Sequence, residues 1–419
     1  MTWAGGPDVG DGLVLAGVRV VELAGDPAGE MVGKLLAEMG ADVVKVEPPE
    51  GSATRRIGPF AGYGVDGDHS LTFWYYNTNK RSAVVDYRTL DGQATLQGLL
   101  EDADVLITTL RPPELRALAI DFDELRAVSE RLIVLSITPF GLDGPWADWL
   151  SSDLVGLALG SPLNSCGYDD HSIPPIRPGG DQGYQSAASF ALIGLLLALV
   201  ERQHTGRGQL VDVGMHDCLA VNAELANPYW FYPKVVVQRQ TCRHAQPTPT
   251  QPAIFQCADG RWVYFVIFVA EQKAWRSLLE WIDSKGLAVD LTGEEYDDPA
   301  YRQAHFDHIQ EIVEVFFMLQ TADEAYHEGQ ARGLAIGPIT SPDELLEDEH
   351  LAARDFFVAV EHDDVPPALY PGVPFRFSAH GVASLRRAPK LGEHTTEILD
   401  CIPLAAPAGS AASTGGGAR

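Results

Sequence analysis

Through the first 140 residues, two spacings of apolar positions take turns. Short runs with strand character fall at 18–23, 42–46, 82–86, 104–108 and 132–137. Between them, apolar residues recur at helical intervals over 29–39, 91–102 and 122–129. Strands that alternate with helices imply parallel strands joined by crossover helices, an open α/β sheet of Rossmann type. Ligands of such sheets bind beyond the carboxyl ends of the strands.

The pattern changes in the middle of the chain. The longest apolar run extends from Ala187 to Val200 and is broken only by Ser189 and Gly194. It is shorter than the roughly 20 residues a bilayer span requires, so it predicts a buried core helix. A glycine-rich turn, Arg177-Pro178-Gly179-Gly180-Asp181-Gln182-Gly183, leads into it. Beyond it come a turn at 204–209 and a strand at 210–213. The aromatic, proline-bounded stretch 227–233 suits a crossing between domains. The Gln-, Thr- and Pro-rich residues up to Pro252 predict a loop, 253–270 a hairpin around Asp259-Gly260, and 271–285 and 304–320 helices. With 419 residues the chain exceeds what one core holds, and two domains are expected. The tail from Ala405 is Ala, Gly, Ser and Thr with little else, a composition expected to be disordered.

Charge narrows the partners. The formal net charge is -28, from 58 acidic and 30 basic residues. Nucleic acid and anionic membranes need basic patches, so neither is an expected partner. A small anionic ligand in a local basic pocket remains compatible. Cys166, Cys218, Cys242, Cys257 and Cys401 form no Cys-x-x-Cys pair, which argues for a reducing compartment and against disulfides or a zinc site. No basic segment followed by an apolar one opens the chain, so a cytoplasmic location is expected. No histidine spacing suggests a metal.

One set of motifs, taken in order, carries a resemblance. It comprises Gly17-Val18-Arg19-Val20-Val21-Glu22-Leu23, Ala28-Gly29, Gly40-Ala41-Asp42-Val43-Val44-Lys45-Val46-Glu47-Pro48-Pro49 and Asn77-Thr78-Asn79-Lys80-Arg81-Ser82. It continues through Ala103-Asp104-Val105-Leu106-Ile107, Arg111-Pro112, Phe140-Gly141, Gly144-Pro145 and Thr205-Gly206-Arg207-Gly208-Gln209. It ends in Arg387-Ala388-Pro389 and Leu391-Gly392-Glu393-His394-Thr395. From about Leu15 to Leu399 the chain resembles the class III CoA-transferases (CaiB/BaiF), a family that includes the α-methylacyl-CoA racemases. The resemblance implies a large Rossmann-like CoA-binding domain over 1–225, a smaller α+β domain over 226–334, and a segment over 335–404 returning to the large domain. The tail is then 405–419. It also implies an interlocked homodimer, two chains joined like linked rings.

By the same resemblance Asp181 occupies the position of the catalytic aspartate. Its carboxylate would attack an acyl-CoA thioester, form a mixed anhydride and release CoA thiolate. Further aspartyl intermediates would then pass CoA to a free carboxylic acid. Acyl-CoA is thus a substrate, and no tightly bound cofactor is implied. A nucleophilic carboxylate has to be ionised, as aspartate in water is at pH 7. Glycines at 179, 180 and 183 let backbone N–H groups approach a developing oxyanion. Read from the residues alone, Asp181 could equally cap the helix that follows.

Asn79, Lys80, Arg81 and Arg111 match family positions expected to hold CoA, with Ala28 beside it, and Arg55 and Arg56 join them on charge. Each could also be a solvated surface charge. Lys45 and Glu47 end a strand and are expected to form a structural ion pair. Ser152 fills the slot where the racemases carry the histidine that removes an α-proton, so racemisation is disfavoured. Asp153 matches the family in a structural or a functional role. Residues 244–251, His-Ala-Gln-Pro-Thr-Pro-Thr-Gln, lack the glycine run with which many transferases cover the anhydride. A racemase or lyase acting on acyl-CoA, and a catalytically silent acyl-CoA-binding protein, stay open as alternatives.

Overall fold

The computed structural model describes residues 12–62, 66–118, 120–223, 226–267 and 269–401. The tail at 405–419 lies outside them. The chain divides into two compact units, one of Met1–Pro162, Pro178–Glu224 and Ala353–Arg419, the other of Leu163–Arg177 and Leu225–Ala352.

The first unit holds one sheet. Its strands are β1 (Arg19–Leu23), β2 (Asp42–Glu47), β3 (Arg81–Val84), β4 (Val105–Thr108), β5 (Ile133–Thr138) and β6 (Leu210–Gly214), in the order β3-β2-β1-β4-β5-β6. Every neighbouring pair is parallel. β2, β4 and β5 are buried along their whole length; β4 and β5 read as nearly continuous apolar runs, whereas β2 also buries Asp42, Lys45 and Glu47. The edge strand β6 alternates between exposed and half-buried positions over most of its length.

Helices α1 (Pro27–Glu38), α2 (Leu90–Glu101) and α3 (Phe122–Val128) are the crossovers. Asp26, Thr89 and Asp121 start them, each side chain accepting a first-turn N–H. A crossover helix runs opposite to the strands it joins, so its N-terminus lies at their carboxyl ends. The strand order reverses between β1 and β4, and there the carboxyl ends open a crevice.

Helices α4 (Asp153–Leu159), α5 (Gln182–Thr205) and α6 (Met215–Val221) complete this unit around the sheet's other end. α5 runs into β6 and so also starts at the carboxyl edge. It is longer than its apolar run, and by length and composition alone it would suit a membrane span. Ala187, Ala188, Ala191, Leu195 and Ala198 bury one face, which packs with α1, β5 and β6. The expected burial all round is corrected on the other face, where Ile193, Leu197 and Val200 are 55%, 65% and 53% exposed.

In the second unit, β7 (Gln238–Gln240) pairs antiparallel with β8 (Arg243–Gln246), where a loop is expected from sequence. β9 (Ile254–Gln256) and β10 (Trp262–Phe265) form the hairpin expected around Asp259-Gly260, with Gly260 at φ 79°. β11 (Ile336–Pro338) adds to β10, so this unit continues past residue 334, to Ala352. Residues 163–177 join it through an Asp169–Arg243 ion pair at 2.7 Å and a His171–Arg239 carbonyl hydrogen bond at 3.0 Å. Helices α7 (Gln272–Ser284), α8 (Phe306–Met318) and α9 (Ala322–Ala331) pack Trp275, Trp281, Phe316 and Phe317 against Phe255 and Phe265 of this sheet. Past the second unit, β12 (Phe357–Val360) and β13 (Ala368–Pro371) form a hairpin in the first.

Candidate active site

Asp181 is the N-cap residue of α5 and adopts a left-handed backbone, φ 52° and ψ 47°. Its neighbour Gly180 sits at φ 80°. A left-handed residue other than glycine costs on the order of 1–3 kcal/mol and persists only where the surroundings hold it. The Asp181 side chain makes no capping hydrogen bond. Asp153 does that work from a different helix. It is 3% exposed at the start of α4, and its Oδ1 accepts the Gly183 N–H at 2.7 Å. A Cβ at position 183 would lie 3.0 Å from that oxygen, so glycine permits the approach. Asp153 is therefore structural toward α5. Ser152 caps α4, its Oγ accepting from the Val155 N–H at 3.4 Å.

Two phenols flank Asp181. Burial, then the Asp181 charge, holds Tyr76 above the usual tyrosine range, and its Oη accepts from Gln185 Nε2 at 3.0 Å. Burial also pushes Tyr184 up to about 12, aided by Asp26, Asp153 and Asp181 in turn. Both therefore stay protonated near neutrality and can donate.

Tyr184 also lines a cavity of about 400 Å³ at the carboxyl ends of the strands. The segment after β1 brings Asp26 and Ala28 to it, that after β2 Arg56, that after β4 Arg111, and the end of β5 Thr138. Asp26 is an addition that the sequence reading missed. Its Oδ1 accepts the Ala28 and Gly29 N–H groups at 3.0 and 3.3 Å. Burial, reinforced by Glu30, raises its carboxyl to about 7 against the pull of those amides and Lys45. Its signature in the sequence is an aspartate before proline directly after a strand, the pattern of a helix start. Tyr184 was legible only as the residue one helical turn beyond Asp181.

The expected CoA-holding residues separate into two groups. Arg111 and Ala28 line the cavity, and so does Arg56. Arg111 shares its wall with Glu114, 3.2 Å from its guanidinium, and Arg56 lies near Glu50, whose carbonyl it reaches at 3.1 Å. The cavity is thus of mixed charge rather than predominantly basic.

Arg55, Asn79, Lys80 and Arg81, expected to hold CoA, have internal partners and are absent from the lining of this cavity. Arg55 forks onto Glu47 at 2.7 and 2.8 Å and reaches Asp68 at 2.9 Å. Arg81 forks onto Asp42 at 2.6 and 3.0 Å. Asn79 takes the Arg386 N–H and donates to the Ser384 carbonyl, tying down the returning segment. Lys80 reaches Glu22 at 2.8 Å, and Lys45 reaches Glu22 at 2.9 Å and Glu30 at 2.8 Å, all four fully or almost fully buried. Burial lowers Lys80 to about 8, whereas the carboxylates around Lys45 overcome burial and hold it above the usual lysine range. Buried charges of this kind need partners, and these have them. Lys45 and Glu47 do serve in structural ion pairs, but with Glu22 and Glu30 and with Arg55 respectively rather than with each other.

Comparison with known proteins follows the same lines. The model of CoA-transferase family III matches residues 15–395. The succinyl-CoA:(R)-benzylsuccinate CoA-transferase subunit BbsE of Thauera aromatica is 32% identical over 386 residues, covering 91% of this chain and 92% of that protein. The succinyl-CoA–D-citramalate CoA-transferase of Chloroflexus aurantiacus is 31% identical over 385 residues, with 91% and 92% covered. Among solved structures, a CaiB/BaiF family protein from Brucella suis superposes with a TM-score of 0.80 at 26% identity, over 94% of this chain and 100% of that one.

Proposed function

The chain belongs to CoA-transferase family III and is an enzyme of that class; from this premise we propose that it moves CoA from succinyl-CoA to a free carboxylic acid, with Asp181 carrying the acyl group. Asp181 Oδ attacks the thioester carbonyl carbon, the C–S bond breaks, and CoA leaves as thiolate. The thiolate then attacks the aspartyl carbonyl of the anhydride and releases succinate. The acceptor carboxylate attacks the resulting aspartyl thioester, and the thiolate set free takes the new acyl group, restoring Asp181.

One observation carries this reading: Asp181 stands at the start of α5, where its charge reaches the phenols of Tyr76 and Tyr184, while Asp153 accepts the Gly183 N–H of the same helix. The helix N-terminus favours its charge by only about 0.3–1 kcal/mol. Enzymes supply roughly 8 kcal/mol or more. Positioning and donors aimed at the tetrahedral oxyanion therefore have to do most of the work. The protonated Tyr76 and Tyr184 supply candidate donors. Ser152, used as a cap, favours transfer over α-proton removal. Arg56, Arg111 and Ala28 are the positions we assign to CoA. Succinyl-CoA is the donor named for both relatives described above. The exposed apolar face of α5 supports a homodimer, interlocked as family resemblance suggests.

Incubation of the protein with succinyl-CoA and ¹³C-labelled succinate reads the reaction without knowledge of the acceptor, because the donor's own acid serves. Labelled succinyl-CoA is expected by mass spectrometry. Asp181→Ala is expected to lose exchange by about 10³-fold or more while still binding succinyl-CoA. Exchange retained in that variant defeats the proposal.

A further inference from the structure

We propose that Asp26, in its neutral acid form, is a second catalytic residue: it donates a hydrogen bond to the substrate oxygen that becomes negative when Asp181 attacks. This deepens the transfer reaction above and rests on it. The reaction balances without it changing state. The Asp181 Oδ–carbon bond forms, the C–S bond breaks, the electron pair leaves on sulfur, and Asp26 keeps its proton throughout.

The placement argues for this role. Asp26 follows β1 at the point where the strand order reverses, on the wall of the strand-end cavity. Its Oδ1 is held by two amides of α1. Its Oδ2 takes no hydrogen bond from any described residue, which leaves that oxygen for a ligand. Asp26 and Asp181 stand on the starts of two helices that pack together, and Tyr184 feels both charges. A CoA-transferase brings further anions to this spot, first the thiolate and then an acceptor carboxylate. Three ionised aspartates around one phenol would repel them.

A neutral Asp26 removes one of those charges and converts an acceptor into a donor. Burial supplies the means, since it holds the carboxyl near 7. The other charges about it are Glu30 on α1, Lys45 on β2, Glu50 and Arg56 after β2, Arg111 and Glu114 after β4, and Asp153 and Asp181 near α5. Lys45 is shared with Glu22 and Glu30, and its pull on Asp26 is outweighed by burial; Arg111 pairs with Glu114, and Arg56 donates to the Glu50 and Gly51 carbonyls.

The labelled-succinate exchange, run from pH 5.5 to 9, tests it. Wild-type kcat should fall as pH rises through about 7, to roughly 30-fold below its plateau near pH 8.5. Asp26→Asn keeps the helix cap and an N–H donor but cannot titrate, so its profile should be flat on the alkaline side. Asp26→Ser also caps without titrating in this range and should be flat as well, which covers an Asn variant that fails to fold. Asp26→Ala should lose activity by at least about tenfold at every pH. An alkaline limb that survives unchanged in the Asn or Ser variant, or is missing from wild type, overturns the role of Asp26 while leaving transfer through Asp181 intact. A wild-type protein with no exchange at any pH removes the transfer reading itself, and this inference with it.

Discussion

Replacing Asp153 by alanine leaves the Gly183 N–H at the start of α5 without its acceptor. A buried donor so stranded costs about 1–3 kcal/mol. The loss should appear in urea unfolding, and it should be accompanied by a fall in kcat, because the turn that holds Asp181 is anchored at the same point. Asp153→Asn keeps an acceptor oxygen and should recover most of the stability. Equal stability of the alanine variant and wild type would mean that Asp153 does not cap α5. At this scale the protein divides two tasks between two like residues. Asp153 satisfies the helix and Asp181 presents a carboxylate, although both carry the same side chain and either could have been read as the cap.

Among the elements, α1 lies closest on the sheet at Gly33. A Cβ there would stand 1.8 Å from Glu22 Oε2, and Glu22 cannot swing aside because Lys45 and Lys80 hold both its oxygens. Gly33→Ala is therefore expected to destabilise by about 1–3 kcal/mol, even though alanine raises helix propensity by up to about 1 kcal/mol. A thermal melt equal to or above wild type would contradict this.

The strands and crossover helices of the first unit were legible, because short Val- and Ile-rich runs bounded by Gly, Asp and Pro leave little choice of element. The Asp259-Gly260 hairpin was legible for the same reason. β7 and β8 were not. Their Gln, Arg and His residues show no apolar alternation, and what holds them is the Gln240 side chain accepting the Thr250 N–H at 2.6 Å and Asp169 pairing with Arg243. The second of those partners is far away in sequence. The partners of the family motif at residues 77–82 were equally hidden from the sequence. A basic pair suggests a surface site for phosphate, yet Lys80 and Arg81 face carboxylates that come from β1 and β2. Only the folded sheet brings those together.

For the whole molecule, the exposed row Ile193, Leu197 and Val200 on a 24-residue helix is the feature that a single copy leaves unexplained. If a second copy covers it, native mass spectrometry should show twice the 45.4 kDa of one chain. The double variant Ile193→Asp, Leu197→Asp should shift the population to single chains, since a charge in an apolar interface is costly. A wild-type protein that stays monomeric at micromolar concentration would remove the dimer from the proposal. The site itself draws on the segments after β1, β2, β4 and β5 together with the start of α5. Its geometry is thus a property of the whole sheet edge rather than of any one motif.

The left-handed turn at position 181 also bears on how the enzyme can be caught with its substrate. Asparagine visits that backbone more readily than other side chains with a Cβ. Alanine there would add strain just where the acyl group must land. Asp181→Asn is accordingly the form to soak or co-crystallise with succinyl-CoA. It retains the shape of the turn, removes the attacking oxygen's charge, and should freeze the thioester beside an unreactive amide.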